Sequence, residues 1–196
     1  MLQQYLKDID LEFNSLFFTR IEKFKTLLKQ WGKVHNLTAS LKDDQIDQNI
    51  IDSLYPLKFI ENFETLLDVG TGAGYPGMLL AIAKPNSSIT LVEPRAKRVA
   101  FLNFVKNSLE LNNVIVVENR VENIPNQNYD IISSRAVSNI SLLLDITSHL
   151  KTSYYLLYKG SLYTSEIKEA KIKNYKIVNY KNHRNYVYIK EEKNDI

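Results

Sequence analysis

A glycine-rich turn at residues 66–77, LLDVGTGAGYPG, constrains the fold more than any other segment of the chain. A short apolar run leads into Gly70, Gly72 and Gly74, and glycines at alternate positions let a turn approach a ligand without a Cβ in the way. Pro76 suits the first turn of a helix whose N-terminal amides face the same ligand. The segment predicts a strand, a ligand-binding turn and a helix; a generic strand-to-helix turn is the alternative.

Two carboxylates bear on which cofactor this turn suits. The spacing of Gly72, Gly74 and Gly77 satisfies a dinucleotide-binding pattern, with Glu93 as ribose acceptor. Asp68, however, would attract the ammonium and sulfonium of S-adenosylmethionine (SAM) and repel a dinucleotide's pyrophosphate. Glu93, at the end of the next apolar run, would accept hydrogen bonds from the SAM ribose. We therefore expect a SAM site that includes Asp68, Gly70, Gly72, Gly74 and Glu93.

Short apolar runs alternate with helical patterns from residue 65 onward. Such runs, separated by helices, are typical of a parallel sheet covered on both faces. Two further runs, at 176–181 and 185–190, predict a hairpin through residues 182–184. The predicted fold is α/β and resembles the Rossmann-like class I SAM-dependent methyltransferase fold, a mostly parallel sheet with an antiparallel last strand. The predicted strands are 66–69, 89–93, 114–117, 129–133 and 154–158, and the predicted helices are 76–83, 96–109, 139–150 and a short one after Ser165.

The first 64 residues have a different pattern. Apolar residues recur at three- and four-residue steps over residues 9–31, which predicts an amphipathic helix, and a second helix is expected from about 44 to 60. The broad apolar face of the first helix must pack on something. We expect residues 1–64 to form a helical cap docked on a methyltransferase domain of residues 65–196.

Composition excludes several classes of protein. The chain has no Cys, so disulfides, thiolate zinc sites and Cys nucleophiles are excluded. No apolar run reaches the roughly 18 residues of a membrane span, and the first residues do not resemble a secretory signal. The sequence predicts a cytoplasmic protein, which we expect to be a monomer with no membrane partner.

Charge is concentrated at the C-terminal end. The formal net charge is +3, and residues 151–196 hold ten Lys and Arg against five Asp and Glu. A basic end could meet nucleic acid phosphates, and a lysine-rich solvated face would give the same count.

Beyond the glycine turn, motifs along nearly the whole chain resemble the RsmG (GidB) family of bacterial methyltransferases. The resemblance implies transfer of a methyl group to N7 of a guanine in small-subunit (16S) ribosomal RNA. It further implies that Gly70 and Tyr75 line the methionine end of the SAM site, that Val121 and Glu122 flank the adenine, and that Arg135 lies beside the methyl-transfer site. The matching pieces are WGKVHNLTA (31–39), IIDSL (50–54), DVGTGAGYPG (68–77), LVEPRAKRVAFL (91–102), NRVENIP (119–125), ISSRAV (132–137) and YKG (158–160).

Three positions depart from the family pattern. Asn49 and Asn185 stand where the family usually has His, and Gln48 stands where Arg is common. The two His are therefore not essential in this chain. Because Gln48 is uncharged, one contact that a basic residue of the helical cap would make is in doubt. The three His that are present, His35, His149 and His183, lack metal-ligand spacing, and we interpret them as structural or surface residues.

The residues present permit guanine-N7 methylation and exclude some alternatives. Cytosine-C5 methylation needs a Cys nucleophile, and exocyclic-amine methylation usually uses an Asn/Asp-Pro-Pro-aromatic motif where this chain has residues 133–136, SSRA. N7 has a free lone pair, so no general base is needed. We expect Arg120, Arg135 and Lys159, at or after predicted strand ends, to hold the RNA; pairing with local carboxylates is the alternative for each.

Three other functions compete with this interpretation. An assembly factor could bind ribosomal RNA and use SAM only as a structural ligand. An NAD-dependent oxidoreductase would need a hydride-transfer partner, such as a His or a Tyr-Lys pair, that the sequence does not place. A small-molecule methyltransferase is disfavoured because no separate apolar substrate lid is evident.

Overall fold

The structure is a computed structural model that describes residues 2–35, 37–135, 138–180 and 184–191. A seven-stranded sheet forms its centre, in the order β3-β2-β1-β4-β5-β7-β6. The first five strands are parallel, and β7 runs antiparallel to both β5 and β6. The strands are β1 Thr65–Val69, β2 Ser88–Val92, β3 Val114–Val117, β4 Asn128–Arg135, β5 Lys151–Lys159, β6 Tyr175–Tyr180 and β7 Arg184–Lys190. This sheet confirms the predicted fold class.

Neighbouring residues of each central strand point to opposite faces of the sheet and enter two separate cores. Leu66 and Ile131 join one core with the N-terminal helices, whereas Leu67 and Ile132 join another. The first core contains α1 to α5 and the second contains α6 and α7. The helices are α1 Leu2–Asp8, α2 Ser15–His35, α3 Asp43–Leu54, α4 Gly77–Ala83, α5 Ala96–Ser108, α6 Ile140–Ile146 and α7 Tyr163–Glu169. No helix in the described ranges is long and apolar enough to cross a membrane.

The prediction of one helix over residues 9–31 was wrong at its start. α1 ends at Asp8, and Asp10 has a φ of 57°, which is incompatible with a right-handed α-helix. Asn14 then accepts a hydrogen bond from the backbone N–H of Phe17 at 2.9 Å, which caps the start of α2. Local side-chain capping therefore divides an apolar pattern that is continuous in sequence.

The second N-terminal helix also ends earlier than predicted. α3 stops at Leu54, and a 3-10 turn, Tyr55–Lys58, with Pro56 in its first positions, follows it. α2 and α3 pack on α4, and residues of all three share the first core. The division into a cap of residues 1–64 and a domain of residues 65–196 stays a prediction.

The predicted hairpin is present as β6 and β7, and residues 182 and 183 of its predicted connection lie outside the described residues. Since β7 reverses direction, its first residue, Arg184, lies at the same edge of the sheet as the last residues of β4 and β5. That edge therefore collects Arg135, Lys159 and Arg184.

Candidate active site

The glycine turn lies at the carboxyl end of β1, at the centre of the sheet. Gly70, Gly72 and Gly74 all have positive φ, at 67°, 60° and 93°. The backbone N–H of Gly70 donates to the carbonyl of Val92, at the end of β2, at 2.8 Å. The turn is thus fixed to the neighbouring strand.

A side chain at Gly72 would contact its surroundings without a steric clash. A Cβ built there would have no heavy atom nearer than Nη1 of Arg98, at 3.8 Å. At Gly74 a Cβ would lie 2.8 Å from the Cβ of Met78, so this glycine permits close packing on α4. Gly72 is therefore required by its positive φ and not by close packing, whereas Gly74 also serves the packing of the turn.

Glu93 lies directly after β2 and holds the turn through its carboxylate. Oε2 accepts from the backbone N–H of Gly72 at 3.0 Å, and Oε1 accepts from that of Arg95 at 3.1 Å. Nη1 of Arg98 lies 3.5 Å from Oε2. The structure therefore brings Glu93 and Gly72 together, with Glu93 only 2% exposed and both its oxygens bound to backbone N–H groups, and its role as a ribose acceptor stays a prediction.

Asp68 occupies a different position from the one its sequence suggested. The side chain is fully buried; Oδ2 accepts from the backbone N–H of Gly77 at 2.9 Å, and Oδ1 accepts from the Ser133 hydroxyl at 2.8 Å. Burial raises the pKa of Asp68 to about 6. Both oxygens thus bind the protein, and Asp68 positions the turn from beneath instead of facing a ligand across open space.

Tyr75 is the one predicted aromatic residue of the site. Its ring meets Phe24 of α2 edge to face, with centroids 5.8 Å apart, and the Arg135 guanidinium lies 5.3 Å from its centroid. Its buried hydroxyl has no hydrogen-bond partner among the described residues. Burial raises the pKa of Tyr75, so the hydroxyl stays neutral. Tyr75 connects the glycine turn to Arg135.

Arg135 ends β4 and contacts two side chains of α3, Asn49 and Asp52. Nη2 donates to Oδ1 of Asn49 at 2.5 Å, and Nη1 lies 3.3 Å from Oδ2 of Asp52. Nη1 and Oδ2 are not aligned for a hydrogen bond, and neither has another hydrogen-bond partner among the residues described. A donor and an acceptor are therefore left side by side at the end of β4.

Asp52 is a site residue that sequence reasoning did not single out. Its side chain is 8% exposed, and Oδ1 accepts from Nε of Arg184 at 2.8 Å and from the Tyr186 hydroxyl at 2.9 Å. Burial raises the pKa of Asp52, while the charges of Arg135 and Arg184 oppose that rise. A helical face with polar residues at positions 45, 48, 49 and 52 was the signal that could have found it.

Lys159 has contacts that differ from the RNA-binding role predicted for it. Nζ donates to the carbonyl of Ser138 and to Oε2 of Glu166, both at 2.7 Å, and Oε2 also accepts from the backbone N–H of Ile140 at 3.0 Å. The Lys159 side chain is 10% exposed. This arrangement ties β5 to α6 and α7, and it corresponds to the alternative of local pairing. A role for Lys159 in RNA binding is not supported by these contacts.

The residues predicted around an adenine lie after β3. Val121 is buried in the second core, and Glu122 is exposed beside it in a 3-10 turn, Val121–Asn123. Arg120 is exposed and has no ion pair to any residue that the structure describes. Glu122 and Arg120 are accessible, and their roles, like that of Val121, stay predictions.

Of the three His, only the His149 side chain lies within the part of the chain that the structure describes; the interpretation of His35 and His183 stays outside it. His149 precedes β5, at the amino end of that strand, far along the chain from the glycine turn. Among the described residues no three His, Asp or Glu side chains lie together as a metal site would require.

The fold and the glycine turn define the class: this is a protein with the class I methyltransferase fold. A SAM-dependent methyltransferase from Aquifex aeolicus has a similar structure, with a TM-score of 0.59 and 19% identity over 91% of this chain and 98% of that one. A methyltransferase from Geobacter sulfurreducens gives a TM-score of 0.63 at 14% identity, over 86% of this chain and 89% of that chain.

Sequence comparison identifies the family. The family described as rRNA small subunit methyltransferase G matches residues 18–196. A protein of that name from Aliarcobacter butzleri is 55% identical over 192 residues, which cover 97% of this chain and 98% of the relative. Its counterpart from Wolinella succinogenes is 39% identical over 169 residues, or 85% of this chain and 88% of that protein. The chain belongs to the rRNA small subunit methyltransferase G family, as the sequence motifs predicted.

Proposed function

We propose that this protein transfers a methyl group from SAM to N7 of a guanine in small-subunit (16S) ribosomal RNA. Family membership supports the RNA substrate, and the observation that carries the cofactor assignment is the Glu93 carboxylate at the end of β2, hydrogen-bonded to Gly72 of the glycine turn. We further propose that the protein acts in the cytoplasm as a monomer, with the small subunit or its RNA as partner.

The residues of the turn fit SAM. The turn has three glycines with positive φ, and a Glu93 carboxylate, with lone pairs beyond those that its backbone donors use, adjoins Gly72. Arg98 contacts the same carboxylate at the long distance of 3.5 Å, so it can be displaced by ribose hydroxyls at little cost. Gly70 and Tyr75 would lie at the methionine end, and Val121 and Glu122 at the adenine end. When bound, SAM supplies an electrophilic methyl group.

The chain's own contribution is positioning. Guanine N7 has a free lone pair at neutral pH, so its attack on a methyl group releases no proton that a side chain must accept. Holding two reactants in line can account for several kcal/mol of the barrier. Arg135 lies at the strand end next to the turn and is fixed by Asn49, Asp52 and Tyr75, which makes it the residue best placed to orient the base.

Methyl incorporation tests this function directly. Small subunits from cells that lack the gene are incubated with the protein and radiolabelled SAM, and label in the RNA is measured. We expect incorporation into RNA with guanine and none when the target guanine is replaced by 7-deazaguanine, which lacks the N7 nucleophile. Label in the deaza substrate would contradict N7 as the acceptor, and absence of label in both would favour a binding-only assembly role.

The pH dependence of the chemical step tests the absence of a base. Burial raises the pKa of Tyr75 and keeps its hydroxyl neutral. Asp68, with its pKa raised to about 6, is ionised above neutrality. Single-turnover methyl transfer should therefore be flat between about pH 7 and 8.5, and a tenfold slope there would mean that a general acid or base takes part.

A further inference from the structure

The excess of basic residues at the C-terminal end lies mostly away from the active-site edge. Residues 151–196 hold ten Lys and Arg against five Asp and Glu. Two of the ten have partners inside the protein, since Lys159 pairs with Glu166 and Arg184 pairs with Asp52. The other described basic side chains of this segment are exposed: Lys151, Lys168, Lys171, Lys173, Lys176 and Lys190.

Three of these lysines, Lys171, Lys173 and Lys190, line one surface pocket of about 340 Å³, which we call the lysine pocket. It lies between the connection from α7 to β6 and the end of β7, and Glu191 is the one acidic residue among the described residues that line it. None of the three lysines forms an ion pair with any residue that the structure describes. Because three ammonium groups around one pocket repel one another, the pocket favours an anion.

Backbone hydrogen bonds hold the three lysines in place. Lys171 follows α7 with a φ of 54°, and the N–H of Ile172 donates to the carbonyl of Ile167 at 3.2 Å, which closes the helix end. Glycine is the usual residue at such a position, so Lys171 keeps its side chain at a conformational cost. The N–H of Lys190 donates to the carbonyl of Asn174 at 3.1 Å and fixes β7 to the same connection. An anion can therefore bind here without ordering the main chain first.

The lysine pocket is remote from the glycine turn. Lys190 is in register with Tyr154, near the start of β5, whereas Arg184 lies at the edge where β4 and β5 end. The six residues of β7 from Arg184 to Lys190 span roughly 20 Å. Only a polyanion that extends over the surface of the protein can occupy both places at once.

We propose that Lys171, Lys173 and Lys190 bind backbone phosphates of the substrate RNA at a distance from the target guanine. The inference rests on the proposed function and adds that the substrate RNA extends roughly 20 Å beyond the methylation site. A phosphate backbone presents closely spaced negative charges, and a lysine binds them as a point charge. Contacts to phosphate carry no sequence information, so the lysine pocket positions the RNA and leaves the choice of base to the active-site edge.

The first test measures RNA binding and its salt dependence. The triple variant Lys171→Gln/Lys173→Gln/Lys190→Gln is compared with wild type on protein-free 16S ribosomal RNA between about 50 and 200 mM salt. We expect the affinity of the variant to fall about tenfold, and the slope of log K against log salt concentration to decrease in size by about two to three, because up to three phosphate contacts are lost. An unchanged slope would overturn the lysine pocket.

Two control variants separate a local contact from the loss of net charge. Lys7→Gln/Lys84→Gln/Lys106→Gln removes the same charge from side chains outside the lysine pocket and should keep the wild-type slope. Replacing the three pocket lysines with Arg retains the charge and should restore wild-type binding. If the first control lost as much affinity as the pocket variant, only net charge would matter, and the proposal would be wrong.

Methyl transfer distinguishes this inference from the proposed function. The pocket variant should raise the KM for small subunits about tenfold and leave kcat and SAM affinity within about twofold, because its lysines do not touch the reacting groups. An unchanged KM would overturn the lysine pocket alone, whereas no transfer by the wild type would overturn the proposed function, and the salt slopes would still decide the pocket. A loss with small subunits but none with protein-free RNA would mean that the lysines bind an acidic ribosomal protein, contrary to the proposal.

Discussion

Nη2 of Arg135 donates a hydrogen bond to Oδ1 of Asn49 at 2.5 Å, which joins the end of β4 to helix α3. Asn49 is one of the positions at which this chain departs from the family's usual His. An amide oxygen accepts at every pH, so the contact persists where an imidazole would become protonated. At Asn49, Arg135 therefore has a partner that does not titrate, whereas the Asp52 carboxylate on the same helix does.

Arg135→Ala should reduce single-turnover methyl transfer about 30-fold, because a charge-assisted contact is worth about 2 kcal/mol. SAM affinity should stay within about threefold of wild type, since the glycine turn and Glu93 are untouched. Rapid-quench kinetics and calorimetric titration separate the two effects. Arg20→Ala, which removes a guanidinium from the exposed face of α2, is the matched control and should change neither. Wild-type turnover by Arg135→Ala would remove Arg135 from the site.

Glu93→Ala should weaken SAM binding about 10- to 100-fold, because the ribose hydroxyls lose a charged acceptor. The backbone N–H groups of Gly72 and Arg95 lose a partner as well, so thermal unfolding must show that the variant is folded. Glu118→Ala, an exposed change near the end of the neighbouring strand, should bind like wild type. Unchanged affinity in a folded Glu93→Ala variant would count against the cofactor site.

Asp68 should make the chain less stable as the pH rises from about 4 to 6. Burial raises its pKa from 3.8 to about 6, so the folded state binds a proton more tightly than the unfolded state over that interval. When the pH is lowered from 7 to 4.5, the free energy of unfolding of the wild type should rise by about 2 kcal/mol relative to that of Asp68→Asn. Urea unfolding of both proteins at the two pH values measures this difference. If the free energies of unfolding of the two proteins changed equally with pH, Asp68 would not be responsible.

Lys159→Met should cost about 2 kcal/mol of folding free energy, because Glu166 loses its ammonium partner in a largely buried position. The KM for small subunits should change less than twofold. Lys151→Met, at the exposed start of the same strand, should be neutral for stability. If KM rises markedly while stability holds, the ammonium binds RNA as the sequence alone suggested.

The sheet was predictable because its strands are short apolar runs bounded by turn residues, and the glycine turn needed no tertiary information. The break between α1 and α2 was not predictable from periodicity, since the capping by Asn14 is local and polar. Sequence placed Glu93 and Gly72 together correctly. It misjudged Asp68, whose position next to the turn does not reveal that Gly77 and Ser133 occupy both its oxygens.

Contacts between side chains of different secondary-structure elements explain the other differences. Arg135 pairs with Asp52, which lies on a helix that precedes the sheet, and Lys159 pairs with Glu166, which lies beyond the end of its own strand. The positions of the strand ends predict which side chains share an edge of the sheet. They do not predict which carboxylates the fold places next to those side chains. The basic side chains of residues 151–196 likewise have different environments. Arg184 pairs with Asp52, whereas lysines such as Lys173 and Lys176 are exposed.

Mass spectrometry of nuclease-digested 16S ribosomal RNA, from cells with and without the gene, tests the central claim most directly. We predict that one 7-methylguanosine disappears when the gene is removed, returns with the wild-type gene and does not return with a Glu93→Ala gene whose product is folded. An identical 7-methylguanosine content in the presence and absence of the gene would contradict the proposed function.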